Sequence, residues 1–196
     1  MTISYFGYGS LVNTQTLPEG AQVVPGQLEG WVREWRIWGT TEFSRGICAL
    51  SVAPKPGVTI RGVLAREPKE RLAELDAREA KYHRVAGIGP AFLCDAKKEA
   101  GPQDMFLYRS RPEHYGWGSD AYPILQSYVD CVLQGFHAFW GLEGVDHFLK
   151  TTDGWHVPIL KDRQAPIYPR AQIIRNDLLA EFDQRLNDLG VRYLEG

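Results

Sequence analysis

Hydrophobic and polar positions change their rhythm about halfway along the chain. Through the first 110 residues, apolar side chains come in short runs or alternate with polar ones, as in β-strands. Predicted strands cover residues 3–8, 22–28, 31–38, 46–52, 59–65, 90–95 and 105–109. Pro25-Gly26, Pro56-Gly57 and Gly101-Pro102 punctuate them. One helix interrupts the run, predicted to start near Pro68, a residue type favoured in a first helical turn. Beyond Tyr115 the spacing becomes helical. Leu125, Tyr128, Val129, Val132, Leu133 and Phe136 form one broad apolar face, and Leu178, Leu179, Phe182, Leu186 and Leu189 form a second that ends at Gly190, a C-cap residue type. Strands first and helices later predict an α+β fold. The expectation is a single domain over residues 1–196, with a curved or barrel-like mixed sheet and helices packed outside it.

Composition then removes several functional classes. Twenty-two basic against 24 acidic residues leave a formal charge of −2, which gives no footprint for nucleic acid or an anionic membrane surface. No window holds the roughly 18 apolar residues of a membrane span, and the N-terminus does not read as a signal peptide. Cys48, Cys94 and Cys131 are odd in number, scattered and without a CxxC pair, which argues against a disulfide framework and a zinc site and for a cytoplasmic location. Cys131, inside an apolar helical stretch, reads as a packed thiol. His83, His114, His137, His147 and His156 lack metal-ligand spacing, and no Gly-x-Ser-x-Gly elbow is present. Neither a metal nor an organic cofactor is expected.

Two features carry chemistry. In the helix after Pro68, Leu72, Leu75, Glu79 and Tyr82 share one stripe at 100° per residue. A carboxylate on an apolar stripe is desolvated, which raises its pKa and suits it to proton transfer near neutrality. Asp76 falls at the stripe's edge, whereas Glu74, Arg78 and Lys81 point elsewhere. If the helix ends before Glu79, the carboxylate faces water instead. The second feature is the run Tyr5-Phe6-Gly7-Tyr8-Gly9-Ser10-Leu11, a strand entering two glycines and a hydroxyl. Glycine lets the backbone approach a ligand, and consecutive N–H groups can cradle an anion; the same run also suits an ordinary tight turn. Arg163 and Arg170 flank a proline-rich stretch, either as carboxylate binders or as solvated loop.

Taken in order, these segments resemble the γ-glutamylcyclotransferase superfamily, including ChaC and AIG2-like proteins. Tyr8-Gly9-Ser10-Leu11 is similar to its N-terminal Tyr-Gly-Ser loop, and Leu75-Asp76-Ala77-Arg78-Glu79 to its Leu-Asp-x-x-Glu element. Gln126-Ser127-Tyr128-Val129-Asp130 resembles the segment that supplies a pocket tyrosine. Trp35-Arg36-Ile37-Trp38-Gly39-Thr40 and Ser44-Arg45-Gly46 echo ChaC-type sequences. The likeness spans about residues 3–149, and residues 150–196 read as a C-terminal extension and helix. It implies Glu79 as the catalytic acid/base, with Tyr8, Gly9, Ser10, Leu11 and Tyr128 binding a small γ-glutamyl substrate that cyclises to 5-oxoproline without a cofactor. The alternative is a non-catalytic module that binds γ-glutamyl-like metabolites or a protein partner. Neither the γ-glutamyl compound nor the oligomeric state is readable from the sequence.

Overall fold

The computed structural model describes residues 1–40 and 46–196; Ser44 and Arg45 of the motif set lie outside them. The described residues form ten strands and three helices. In chain order these are β1 (Thr2–Gly7), β2 (Gln22–Thr40), β3 (Gly46–Pro68), α1 (Leu72–Arg78), β4 (Tyr82–Ala86), β5 (Phe92–Cys94), β6 (Phe106–Ser110), β7 (Ile124–Leu125), α2 (Gln126–Lys150), β8 (Thr152–Asp153), β9 (Ile159–Lys161), α3 (Asn176–Asp188) and β10 (Tyr193–Glu195).

The sheet is mixed and runs β10-β9-β7-β3-β1-β6-β4, with β2 paired to β3 and also to β5 and β8. β1 sits inside it, antiparallel to β3 and parallel to β6. That central place explains its continuous apolar run, because residues Ile3–Gly7 are buried on both faces.

Two predicted strand pairs are in fact single long strands. β2 continues through Gly30, whose φ of +83° suits glycine, and the register slips there from Glu29↔Thr59 to Trp31↔Pro54. A bulge bends a strand without ending it, and this one curves the hairpin. The predicted strand at 90–95 shortens to Phe92–Cys94, while β4 and the four short strands after residue 120 carry too few residues to show a period.

The helix after Pro68 is also corrected. Pro68 ends β3, a 3-10 turn covers Lys69–Arg71, and α1 begins at Leu72 and stops at Arg78. Helix α2 is buried along most of its first three turns, from Gln126 to Phe136, which makes it a core helix. It breaks at Gly141, where φ is +61°. Phe182 and Leu186 of α3 are buried, but Leu189 lies past the helix end and is 40% exposed.

The interior has two apolar clusters. The larger joins Tyr8, Trp35, Leu50, Tyr128 and Phe136 with much of the sheet; the smaller joins Ile3, Tyr5, Leu11, Leu75, Phe106 and Tyr108. The site lies where they meet.

Candidate active site

A cavity of about 40 Å³ is lined by Phe6, Tyr8, Gly9, Ser10 and Leu11 from β1 and its turn, Leu50 from β3, Glu79 and Tyr82 around the end of α1, Tyr108 from β6, and Tyr128 from α2. All six residues singled out from the sequence border this one space. A roomier groove of about 920 Å³ lies between α3 and β9–β10, among Lys161, Arg163, Asp183 and Glu195. Arg163 there is already spent on Asp130 and Asp183. Chemistry, not volume, singles out the smaller cavity.

The turn at its mouth is held from three sides. Val12 N–H donates to the Gly9 carbonyl at 3.0 Å and Asn13 N–H to the Ser10 carbonyl at 3.0 Å. Asn13 Nδ2 clamps the turn to α2 through the Cys131 carbonyl at 2.9 Å and Gln134 Oε1 at 2.8 Å. The N–H groups of Gly9, Ser10 and Leu11 donate to no described residue. A Cβ at Gly9 would lie 3.1 Å from the Tyr128 hydroxyl and 3.3 Å from Leu50 Cδ1. Glycine is therefore what lets this backbone approach the cavity.

Glu79 reaches the cavity by a route the helical stripe did not describe. It sits just past α1 with φ −99° and ψ 34°, and its N–H donates to Leu75 O at 3.0 Å. Tyr82 N–H then bonds the Glu79 carbonyl at 2.8 Å, turning the chain into β4. The helix does end before Glu79, yet its side chain is only 14% exposed. Burial pushes the carboxyl up from its ordinary range, while Arg78 and Arg170 pull it partly back.

Arg78, expected to point away, turns inward once the helix stops. Its Nε lies 3.2 Å from Glu79 Oε1, Nη1 donates to the Thr16 carbonyl at 2.8 Å, and Nη2 is 3.5 Å from Ser10 Oγ. Asp76 faces elsewhere, accepting from the Tyr108 hydroxyl at 2.5 Å and pairing with Arg84 at 3.5 Å. Asp76→Asn is accordingly expected to lower the thermal midpoint by no more than a few degrees, because exposed pairs are worth only about 0.2–1 kcal/mol. A much larger drop would mean that the Tyr108–Asp76 contact is structural.

Four tyrosines surround the carboxylate, and three have committed their hydroxyls. Tyr8 donates to the Tyr108 carbonyl at 2.7 Å, Tyr82 to the Leu50 carbonyl at 2.8 Å, and Tyr108 to Asp76. The Tyr128 hydroxyl makes no hydrogen bond to any described residue. Burial holds the Tyr128 phenol well above its ordinary pKa, so it stays protonated and can donate. Tyr82 and Tyr108 were not singled out for the pocket from the sequence, since β4 and β6 bring them in by long-range pairing.

The proline-rich segment also contributes. Buried Asp162 accepts from Ser127 N–H at 2.8 Å and Ser127 Oγ at 2.6 Å, capping α2, and from Ile167 N–H at 2.9 Å. This latch lays the Tyr168 ring 4.9 Å from that of Tyr128, with its phenol facing Ser10. Among the described residues no three His, Cys, Asp or Glu side chains converge as a metal site, and no helix is long and apolar enough to cross a membrane.

The architecture is that of the γ-glutamyl cyclotransferases. One solved structure, described as a gamma-glutamyl cyclotransferase, superposes with a TM-score of 0.60 at 14% identity, over 94% of this chain and 99% of that one. An uncharacterized protein from Homo sapiens gives 0.58 at 14% identity, over 93% and 98%. YkqA from Bacillus subtilis gives 0.54 at 17% identity, over 78% of this chain and 56% of its own. No protein-family model matches the sequence, and no curated protein does. At these identities the likeness is one of fold.

Proposed function

We propose that the protein is a γ-glutamylcyclotransferase, converting a γ-glutamyl amide to 5-oxoproline and a free amine or amino compound. The observation that carries the reading is the pairing of a desolvated Glu79 carboxylate with an uncommitted Tyr128 hydroxyl across one cavity, beside the free N–H groups of Gly9 and Ser10.

In the reaction the substrate's α-amine nitrogen attacks its own γ-carbonyl carbon, closing a five-membered lactam. The bond from that carbon to the leaving nitrogen then breaks. Glu79 takes the proton that the α-amine loses and returns it to the leaving nitrogen, so no proton is gained or lost overall. A base with a raised pKa is suited to both halves. The enzyme's other task is to keep the glutamyl chain bent, since orientation is a large part of the barrier to ring closure. Gly9 and Ser10 N–H groups and the Tyr128 hydroxyl hold its oxygens.

The test is release of 5-oxoproline from glutathione, γ-glutamyl amino acids and γ-glutamyl amines. Release from any of them supports the reading. Binding of γ-glutamyl compounds without release from any would identify a binding module. Tyr128→Phe removes an oxygen that no described residue uses, so the fold should keep its thermal midpoint. Its kcat/KM is expected to fall at least about tenfold, the worth of roughly one lost hydrogen bond. Wild-type kinetics from the Phe variant would remove Tyr128 from the substrate's contacts.

A further inference from the structure

Among the described residues, buried Arg33 has no counter-ion. It lies in β2 with 0% exposure, and its described partners are all neutral. Nε donates to the Tyr8 carbonyl at 2.9 Å, Nη1 to Thr151 Oγ1 at 2.8 Å, and Nη2 to the Arg61 carbonyl. The rings of Phe136 and Phe148 stack on the guanidinium at 4.9 and 5.1 Å. Burial lowers its pKa to about 9, which still leaves it charged at neutral pH. An apolar replacement would remove the cost of an unpaired buried charge but leave the Tyr8 and Arg61 carbonyls without their donor. Tying these neighbours together at the cost of a buried charge is a weak reason on its own to keep an arginine here.

The placement of one bond supplies a better reason. In a trans peptide the C=O and N–H point in opposite directions, and the described residues include no cis peptide. Arg33 grips the carbonyl of the Tyr8–Gly9 peptide, so the Gly9 N–H is directed away from the guanidinium. The plane of this peptide is thus held from outside the turn.

We infer that Arg33 is a positioning residue: its bond to the Tyr8 carbonyl fixes the peptide plane before Gly9 and aims the Gly9 N–H at an oxygen of the bound γ-glutamyl group. The bond also polarises the peptide, which strengthens that N–H as a donor. The identity of the oxygen rests on the cyclotransferase reading, whereas the orientation of the amide does not.

The test compares wild type, Arg33→Met, Arg33→Lys and Thr151→Val, each labelled with ¹⁵N and assayed for 5-oxoproline release from γ-glutamyl-alanine. In Arg33→Met the Gly9 amide resonance should move, and kcat/KM should fall about 10²-fold, as when one preorganised donor is lost. Its thermal midpoint should fall, because the Tyr8 and Arg61 carbonyls lose their donor, so turnover is read per folded molecule. Arg33→Lys keeps the charge but lacks the planar fork, so it should recover part of the loss. Thr151→Val removes a different anchor of the same guanidinium and should affect stability more than turnover. A merely structural Arg33 would lower stability in every variant and leave turnover per folded molecule unchanged. The inference is overturned by a Gly9 resonance that stays put, or by wild-type kcat/KM in Arg33→Met. Should the Met variant not fold, an unmoved resonance and unchanged turnover in Arg33→Lys overturn it equally. If wild type releases no 5-oxoproline from any γ-glutamyl compound, the cyclotransferase reading falls and the Gly9 resonance alone decides the inference.

Discussion

Glu79→Gln is expected to fold, to bind γ-glutamyl compounds with near-normal affinity, and to turn them over about 10²–10⁴-fold more slowly. Glutamine keeps the shape of the side chain and can still accept from Arg78, but it cannot move a proton. The loss should therefore fall on kcat and leave KM within a few-fold. Wild-type activity should decline on the acid side with a midpoint above the ordinary carboxylate value of about 4.3, because burial raises the Glu79 pKa. The same shift sets the sign of a stability effect. A carboxyl with a raised folded pKa binds its proton more tightly in the folded state, so its contribution is fully present below the unfolded pKa and is lost as pH rises through the folded one. At neutral pH ionised Glu79 thus disfavours folding. The glutamine variant should melt no lower than wild type at pH 7, and the difference should close as the pH falls and Glu79 protonates. Near-normal release of 5-oxoproline by Glu79→Gln would remove this residue from the mechanism.

Gly135→Ala should be destabilising even though alanine is the better helix former by up to about 1 kcal/mol. A Cβ at Gly135 would lie 2.6 Å from Asn13 N, 2.8 Å from its Cα and 2.9 Å from Val12 C. These are backbone atoms of the turn that follows Ser10 and Leu11, and they cannot rotate aside. Overpacking of this kind costs about 1–3 kcal/mol, which outweighs the propensity gain. The thermal midpoint should fall by several degrees, and kcat/KM should fall with it as the turn is pushed off α2. A rise in melting temperature would mean that the turn yields freely and that α2 does not set its position.

Much of this site is written in local sequence, though partly for reasons that differ from the local ones. The Gly7–Leu11 turn is legible because two glycines and a hydroxyl after an apolar strand have few uses. Glu79 stands out because helical spacing sets it on an apolar stripe. In fact α1 stops at Arg78, and the tight turn into β4 directs the carboxylate to the cavity. The same early stop brings in Arg78, which helical periodicity points away from the stripe. Leu50 and Tyr108 give no local signal, since their positions depend on how β3 and β6 flank β1. Tyr168 is hidden in a segment that looks like loop until nearby Asp162 ties it to Ser127, distant in sequence. Gly30 misleads in the opposite sense, since a residue that usually breaks strands here bends one continuous strand.

The parallel pairing of β7 with β9 has a consequence for the order of events during synthesis. β7 has only two residues, and both pair with β9, Ile124↔Ile159 and Leu125↔Leu160. Parallel neighbours need a crossover, and here the crossover includes the whole of α2. At about 5–20 residues per second, a ribosome takes a few seconds to deliver β9 after β7 has emerged. Throughout that interval the long β2–β3 hairpin is already outside, while Asp162, which caps α2 and tethers Tyr168, has yet to emerge. A nascent chain at this stage exposes apolar strand surface and has one wall of its cavity missing. Translation that pauses before β9 has left the ribosomal tunnel lengthens this exposure and favours capture by chaperones or aggregation, whereas a pause after it has left finds β7 and β9 available to each other.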